Sequence, residues 1–218
     1  MPSLVGSEMC IRDSNGVFPL ESYSKMALRE KYGIKENDFL IGVISRLVLD
    51  KGIDIILRAL IVLDFIITKQ RKESSEKYYV IIIGRGPLEA QINIVKQKLR
   101  NIRIIHIPWR PQIDKAMSSF DILVNANRRA AFDLTFLEAM SIGLPILASN
   151  VTGNIEALNN YGFYFRRGDY LDLAKKLFFI ITHKNYLAKF KIELKKRFEK
   201  KFHISIMISN LIQIYRKI

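Results

Sequence analysis

Two cations in one short segment, Arg46 and Lys51, are the first residues whose types and spacing suit phosphate chemistry. They bracket a loop that follows an apolar run and leads into a helical pattern after Gly52. Cations at such a place can bind a phosphorylated ligand and take up negative charge on a departing phosphate. A single cation after a strand is more often a solvated surface charge, so this pair has to be weighed together with its neighbours.

Two glycines and the start of a helix offer backbone groups for the same chemistry. Gly84 and Gly86 follow the next apolar run, and glycine lets the chain approach a ligand closely. Leu134 and Thr135 open a helical pattern, whose amino end carries free N–H groups and favours phosphate. Glu138 follows one turn later and could accept hydrogen bonds from paired ribose hydroxyls. Each signal alone is weak, but together the three loops suit a nucleoside diphosphate.

The elements that must position these residues alternate between short apolar runs and helical patterns. The runs are apolar on both faces and occupy 39–44, 79–83, 102–107, 121–124, 145–148 and 161–165. Helical spacing of apolar residues occurs in 53–67, 88–99 and 136–142, a loop is predicted at 69–77, and the chain is helical after Gly168. Strands that are apolar on both faces belong to a parallel sheet covered by helices on each side. The pattern predicts an α/β fold, a Rossmann-like doubly wound parallel sheet with extra C-terminal helices.

Composition limits the chemistry that remains. The chain has 218 residues, of which 49% are apolar, enough for a packed domain. Cys10 is the only cysteine, so we expect no disulfide framework and no thiolate metal site. The histidines, His106, His183 and His203, are scattered, and no Asp-x-Asp pair occurs. We therefore expect the histidines to pack in the core or to lie at the surface.

The formal net charge of +14 favours an anionic partner, although Lys-rich usage in an AT-rich genome explains part of the excess. Much of this charge lies in the helices predicted for 184–218. Their basic side suits either peripheral contact with an anionic membrane or plain solvation. Nucleic acid is disfavoured, because no exposed aromatic residues are expected between these cations. The apolar segment 53–67 carries three charged residues, too many for a membrane span.

The first fourteen residues stand apart from the rest. The segment 3–14 resembles the translation of a transposase-type sequencing adapter, and no apolar periodicity links it to the following chain. We expect 1–14 to be a non-native, disordered segment, with further native sequence upstream of Asn15; the alternative is a native disordered tail. The predicted organisation is thus a Rossmann-like domain at 15–183, which carries the candidate nucleotide-binding loops, and basic, amphipathic helices at 184–218 packed on it.

From Asn15 onward the chain resembles the C-terminal, nucleotide-sugar-binding domain of GT-B glycosyltransferases, in particular the large retaining family of group 1, or family 4, type. About nine tenths of the chain is covered, and the motifs are specific as an ordered set. The matching residues are Asn15-Gly16-Val17, Ser45-Arg46-Leu47 with Lys51-Gly52, Ile83-Gly84-Arg85-Gly86-Pro87, Phe132-Asp133-Leu134, Leu137-Glu138-Ala139-Met140, Gly143-Leu144-Pro145 and Gly153-Asn154-Ile155-Glu156.

The resemblance implies roles for individual residues. Arg46 and Lys51 would bind the diphosphate of the donor, and Glu138 would hold the ribose, which makes these three the catalytic candidates. Further donor-binding positions are implied at Gly84, Gly86, Arg110, Asp133, Leu134 and Thr135. Members of the family need no divalent metal, so the expected cofactor is none and the nucleotide sugar is a substrate. The acceptor site would belong to a missing N-terminal Rossmann-like domain, so this chain alone is expected to be inactive.

One position departs from the family pattern. The family has a carboxylate that contacts the transferred sugar eight residues before Glu138, and that position is Ala130 here. Alanine cannot accept hydrogen bonds from sugar hydroxyls. Three explanations remain open: the sugar is handled poorly, a neighbour such as Asp133 substitutes, or the sequence carries an error. Asn127 is a milder change, since serine is common there.

Several functions are therefore compatible with the sequence. The leading hypothesis is the donor-binding half of a retaining glycosyltransferase that moves a hexose to an envelope glycan or lipid acceptor. The alternatives are a nucleotide-binding module or inactive homologue, supported by Ala130, and a nucleotide-sugar epimerase, which shares the crevice but not the motif at 132–140. The expected location is cytoplasmic, with peripheral membrane contact as the open alternative.

Overall fold

The computed structural model describes residues 15–70, 76–108, 112–129 and 133–216. The expectations for residues 1–14, Arg110 and Ala130 lie outside these ranges, as does the middle of the loop predicted at 69–77.

The described residues contain a six-stranded sheet in which all neighbouring strands are parallel. The strands lie in the order β3-β2-β1-β4-β5-β6, so the direction of winding reverses between β1 and β4. Their bounds are β1 Phe39–Ile44, β2 Tyr78–Ile83, β3 Ile102–Ile107, β4 Ile122–Asn125, β5 Ile146–Ser149 and β6 Phe163–Phe165. This confirms the predicted doubly wound parallel sheet, and its switch point is where such folds bind ligands.

Helices cover both faces of the sheet within the described ranges. They are α1 Met26–Arg29, α2 Ile53–Gln70, α3 Glu89–Lys98, α4 Ile113–Ser119, α5 Leu134–Ser141, α6 Thr152–Leu158, α7 Tyr170–Thr182, α8 Asn185–Lys201 and α9 Ile204–Tyr215. Short 3-10 turns occupy Glu30–Tyr32, Leu49–Lys51 and Asn159–Tyr161. None of the described helices is both long and apolar enough to cross a membrane.

The alternation of side chains along each strand divides the core into two layers. Ile41 and Val43 of β1 face a layer formed with α2, α3 and α7, whereas Leu40 and Ile44 face a layer formed with α4, α5 and α8. Every residue of β1 is buried, as expected for a strand covered on both faces. Because both layers are filled, the polar loops after the strands are left at the carboxyl edge.

Several predicted boundaries are wrong by small amounts. Helix α2 continues to Gln70, so the loop starts later than residue 69. Strand β4 starts at Ile122 rather than at Asp121, whose side chain accepts a hydrogen bond from the Leu40 amide. The strand ends one residue later than predicted, at Asn125. The run predicted at 161–165 starts as a 3-10 turn and becomes a strand only at Phe163. Helices α4 and α6 were not predicted, since seven residues give too few turns for a period to show.

The C-terminal helices pack on the domain as predicted, but their surface differs from the prediction. Leu187, Leu194 and Phe198 of α8 are buried, and the helix packs on α5. The expectation that no exposed aromatic residues accompany the basic helices is wrong, because Phe179 and Tyr186 are 41% and 54% exposed. Apolar periodicity locates the stripe that faces the core, but it does not forbid an aromatic residue outside it.

Candidate functional site

Arg46 and Lys51 lie in the loop after β1, at the carboxyl edge of the sheet. Between them Leu47 is fully buried, and Leu49–Lys51 forms the 3-10 turn that precedes α2. Arg46 is exposed and makes no ion pair or side-chain hydrogen bond with any described residue. Lys51 is more buried, and its ammonium Nζ lies 3.2 Å from the carboxylate Oδ2 of Asp133. The two predicted phosphate cations therefore differ, since one is free and the other is paired.

Gly84 and Gly86 hold the loop after β2 against the loop after β1. Both have positive φ angles, 149° and 156°. A Cβ atom on Gly84 would lie 1.9 Å from the carbonyl oxygen of Ser45, and one on Gly86 would lie 2.5 Å from that of Leu47. The amide of Leu47 also donates to the Arg85 carbonyl at 2.9 Å. The close approach of the two loops therefore explains why glycine occupies both positions, without any contact with a ligand.

Asp133 is the N-cap of α5 and the most heavily bonded side chain of the site. Its Oδ1 accepts a 3.2 Å hydrogen bond from the amide of Thr135. Its Oδ2 accepts from Lys51 at 3.2 Å and from the side-chain amides of Asn125 and Asn127, each at 3.1 Å. Thr135 therefore already uses the N–H that was predicted to bind phosphate.

These bonds decide the charge of Asp133. Burial would raise the pKa of this carboxyl, but the Lys51 ammonium and the hydrogen bonds from Asn127, Lys51 and Thr135 outweigh it and lower the pKa below its usual value. An ionised carboxylate that is surrounded by its own donors has little capacity left for sugar hydroxyls. The geometry therefore gives Asp133 a structural task rather than that of a free acceptor.

Glu138 is the opposite case. It lies on the second turn of α5 and is partly buried, and no described group hydrogen-bonds or pairs with its carboxylate. Burial, and next the negative charge of Asp133, raise the pKa of Glu138 above its usual value. The two carboxylates are thus perturbed in opposite directions, and only Glu138 keeps free acceptor oxygens.

Arg128 joins the loop after β4 to the loop after β1, a contact that the sequence did not reveal. Its guanidinium donates to the Leu49 carbonyl at 2.7 Å and to Oδ2 of Asp54 at 2.6 Å. Its amide also donates to the Asp50 carbonyl at 2.9 Å. Because Lys51 follows directly, Arg128 fixes the turn that presents this lysine to the crevice.

Buried amides and a hydroxyl extend the polar network toward β5. Ser149 donates to the Asn127 carbonyl at 2.6 Å, and the Asn154 amide donates to the Ser149 carbonyl at 2.9 Å. In the sequence, Asn154 belongs to a motif, whereas no pattern indicated a role for Asn125 or Ser149. Both are polar residues at the end of an apolar strand, and this pattern could have indicated that they belong to the site.

The structure thus brings most of the predicted residues to one edge. Lys51, Asp133 and Glu138 surround the amino end of α5, where Leu134 is exposed, and Arg46 lies in the same loop as Lys51. His106 packs as expected, with Nε2 2.9 Å from the Gly84 carbonyl. Among the described residues, no cluster of histidine and carboxylate groups could hold a metal ion. The absence of a metal requirement remains a prediction.

Comparison with known proteins identifies the family. Residues 24–197 match the family model described as glycosyl transferases group 1. The chain is 26% identical over 210 residues to the capsular polysaccharide biosynthesis glycosyltransferase CapM of Staphylococcus aureus, a match that covers 93% of the chain and 53% of CapM. It is 30% identical over 147 residues to the UDP-Gal:alpha-D-GlcNAc-diphosphoundecaprenol alpha-1,3-galactosyltransferase of Escherichia coli, covering 64% of the chain and 36% of that enzyme.

Solved structures show the same fold. WaaG, a glycosyltransferase involved in lipopolysaccharide biosynthesis, superposes with a TM-score of 0.73 at 19% identity, over 90% of the chain and 54% of WaaG. Anabaena HepE in complex with UDP-glucose gives a TM-score of 0.71 at 20% identity, over 88% of the chain and 52% of HepE. The chain therefore spans about half the length of CapM, WaaG and HepE. With a family match over most of its length and this sheet order, the chain belongs to the glycosyl transferases group 1 family, as a Rossmann-like domain of the GT-B fold.

Proposed function

We propose that this domain binds the nucleoside diphosphate part of a sugar donor and serves retaining transfer of a hexose to an envelope glycan or lipid acceptor. One observation carries the proposal: the cations Arg46 and Lys51 and the carboxylate of Glu138 lie at the switch point of the sheet. Of these three groups, only Lys51 is paired with another described residue. The named relatives include glycosyltransferases of capsule and O-antigen biosynthesis, which supports the envelope acceptor.

Each group has a task in this reaction. Arg46 and Lys51 bind the diphosphate, and Lys51 exchanges its contact with Asp133 for one with a phosphate oxygen. Glu138 accepts hydrogen bonds from the ribose. When the bond between the anomeric carbon and the diphosphate breaks, both cations stabilise the charge on the leaving oxygen. The acceptor hydroxyl then passes its proton to the departing phosphate oxygen, and its own oxygen bonds to the anomeric carbon on the face that the diphosphate has left.

The proposal includes a second Rossmann-like domain that supplies the acceptor site. Helix α9 is amphipathic, yet none of the residues on its apolar side is fully buried by the described part of the chain, and Ile208 and Ile212 are 46% and 45% exposed. Phe18 is also exposed, and its neighbour Val17 is paired with His203 at the start of α9. An exposed apolar stripe that is rimmed by polar residues typically marks a surface that another domain or protein covers. We propose that the second domain covers it, and that the chain alone binds donor without turning it over.

A nucleotide-binding module without transfer activity remains the second candidate. The observation in its favour is that Asp133 is occupied by its own donors and is poorly suited to replace a carboxylate at Ala130. Transfer assays on a protein that joins this chain to a matching N-terminal domain separate the two candidates. Binding of donor with no transfer would support the module. The nucleotide-sugar epimerase hypothesis loses its basis with the family match.

Arg46→Ala and Lys51→Ala should each weaken binding of UDP, the nucleotide held by several of the similar structures. Loss of one charged hydrogen bond costs about 1.5–3 kcal/mol, or roughly 10- to 150-fold in Kd. Isothermal titration calorimetry measures this loss. Lys98→Ala, at the end of α3 and the opposite edge of the sheet, is the matched control and should bind UDP normally. Unchanged UDP affinity in both site variants would contradict the phosphate assignment.

Glu138→Gln should weaken UDP binding while it stabilises the fold. The raised pKa of Glu138 means that its ionisation opposes folding, so its contribution to stability falls as the pH rises through that pKa. Glutamine removes this cost at neutral pH but loses a charged acceptor for the ribose, about 1.5–3 kcal/mol of binding. Denaturation in urea and calorimetry with UDP measure the two effects. A variant that is less stable at neutral pH, or that binds UDP as before, would contradict the assignment.

A further inference from the structure

An exposed aromatic cluster lies where α7 meets α8. The ring centroid of Phe179 is 4.5 Å from that of His183 and 5.7 Å from that of Tyr186. Phe179 and Tyr186 keep 41% and 54% of their surface exposed. Neither contributes to the core layers, and neither takes part in the nucleotide site.

The same surface continues along α8 as a basic row. Lys189, Lys196 and Lys200 follow Tyr186 at intervals of three to seven residues, which places them on one side of the helix, away from buried Leu194. The helix carries seven basic residues and two acidic ones. Of these two, Glu193 is 3.2 Å from Lys196 and Glu199 is exposed, so the face stays strongly positive.

Ile192 lies within this row and is 59% exposed. A surface that combines lysines with exposed aromatic and aliphatic side chains has the composition of helices that lie in the plane of a membrane interface. A single nucleic-acid strand would instead need a series of aromatic platforms, and an aliphatic residue offers no stacking surface. The chemistry of Ile192 therefore favours lipid.

We propose that this face, formed by Phe179, Tyr186, Lys189, Ile192, Lys196 and Lys200, binds the surface of an anionic membrane. The lysines contact lipid phosphates, and the aromatic and aliphatic side chains enter the boundary between headgroups and acyl chains. The α7–α8 junction lies near the amino edge of the sheet, since Lys184 Nζ is 5.4 Å from the ring centroid of Phe39, the first residue of β1. The crevice at the carboxyl edge stays open to donor.

Co-sedimentation of the full chain tests this proposal with vesicles of phosphatidylcholine alone and of phosphatidylcholine mixed with phosphatidylglycerol. We expect binding only to the mixed vesicles. The triple variant Lys189→Glu, Lys196→Glu, Lys200→Glu should lose at least about tenfold in partitioning. The matched control, Lys31→Glu, Lys96→Glu, Lys98→Glu, has the same net charge and exposed positions on other elements, and it should partition like the parent.

The aromatic pair is tested separately by Phe179→Ser, Tyr186→Ser. This variant should partition several-fold less, and its remaining binding should be lost at high salt, because only the electrostatic contribution is left. UDP affinity should stay unchanged in all these variants, which also shows that they fold. Equal losses in the two triple variants, equal binding to neutral vesicles, no vesicle binding, or binding of a single-stranded oligonucleotide in place of vesicles would each overturn the proposal.

Discussion

Arg29→Met should lower the free energy of unfolding by about 3–5 kcal/mol, the usual cost of removing one partner of a buried charged pair. The Arg29 side chain is fully buried, and its Nη2 lies 2.7 Å from Oδ2 of Asp121. Its other nitrogens donate to the carbonyl oxygens of Ser119 at 2.8 Å and of Asp38 at 2.9 Å. Methionine fills part of the volume but leaves these acceptors without a donor. Urea denaturation monitored by circular dichroism measures the change.

Lys25→Met is the matched control for this variant. Lys25 pairs with the other oxygen of the same Asp121 carboxylate at 3.0 Å, but its side chain is 41% exposed. An exposed partner contributes about 0–1 kcal/mol, so this substitution should change stability little. Equal destabilisation by the two variants would show that the burial of Arg29 is not what makes it important. Arg29→Met and Lys25→Met should both leave UDP affinity unchanged. Asp121, which both side chains contact, directly precedes β4 and therefore lies at the amino edge of the sheet, away from the crevice.

Much of the fold could be predicted because buried strands leave a plain pattern. The bounds of β1 and β3 were predicted correctly, since each is an apolar run that ends where polar residues begin. The start of β4 was placed one residue early. Asp121 precedes that strand and is occupied by Arg29 and by the amide of Leu40. No local pattern shows a contact between residues that are so far apart in the chain.

The candidate site could be predicted in its location and only partly in its chemistry. The rule that ligands bind beyond the carboxyl ends of parallel strands was enough to select Arg46, Lys51 and Glu138. It did not show which polar groups would satisfy one another, as Arg128 does with Asp54. Asp133 was the one case with a usable signal, because an aspartate just before a helical pattern is a preferred N-cap.

The contrast between Asp133 and Glu138 separates a structural carboxylate from a binding one. Donors surround Asp133 before any ligand arrives, and they hold its pKa low. Glu138 has no such donors among the described residues, and its pKa is raised by burial and by the charge of Asp133. A group that is left unsatisfied in a folded domain is better suited to accept hydrogen bonds from a ligand than one whose lone pairs are already used.

Asp133→Ala should therefore destabilise the domain by about 3–5 kcal/mol at neutral pH, because it removes the N-cap of α5 and leaves Lys51 and two buried amides without their acceptor. Asp133→Asn should cost less, since its amide oxygen can still cap Thr135. The stability due to ionised Asp133 is present above the usual pKa of aspartate and is lost as the pH falls through the lowered pKa. The difference in the free energy of unfolding between Asp133→Ala and the parent should thus become smaller at acidic pH. Urea denaturation at neutral and acidic pH measures this difference.

Calorimetry with UDP and UDP-glucose on Asp133→Asn then decides between the structural task and a contact with the sugar. If Asp133 only orders the site, the substitution changes the affinities for UDP and UDP-glucose by similar factors, because Lys51 is released equally toward both diphosphates. If Asp133 replaces the carboxylate that is absent at Ala130, UDP-glucose binding weakens while UDP binding does not. Because four donors already occupy its two oxygens, we expect the first result, with the affinity ratio of the two ligands unchanged.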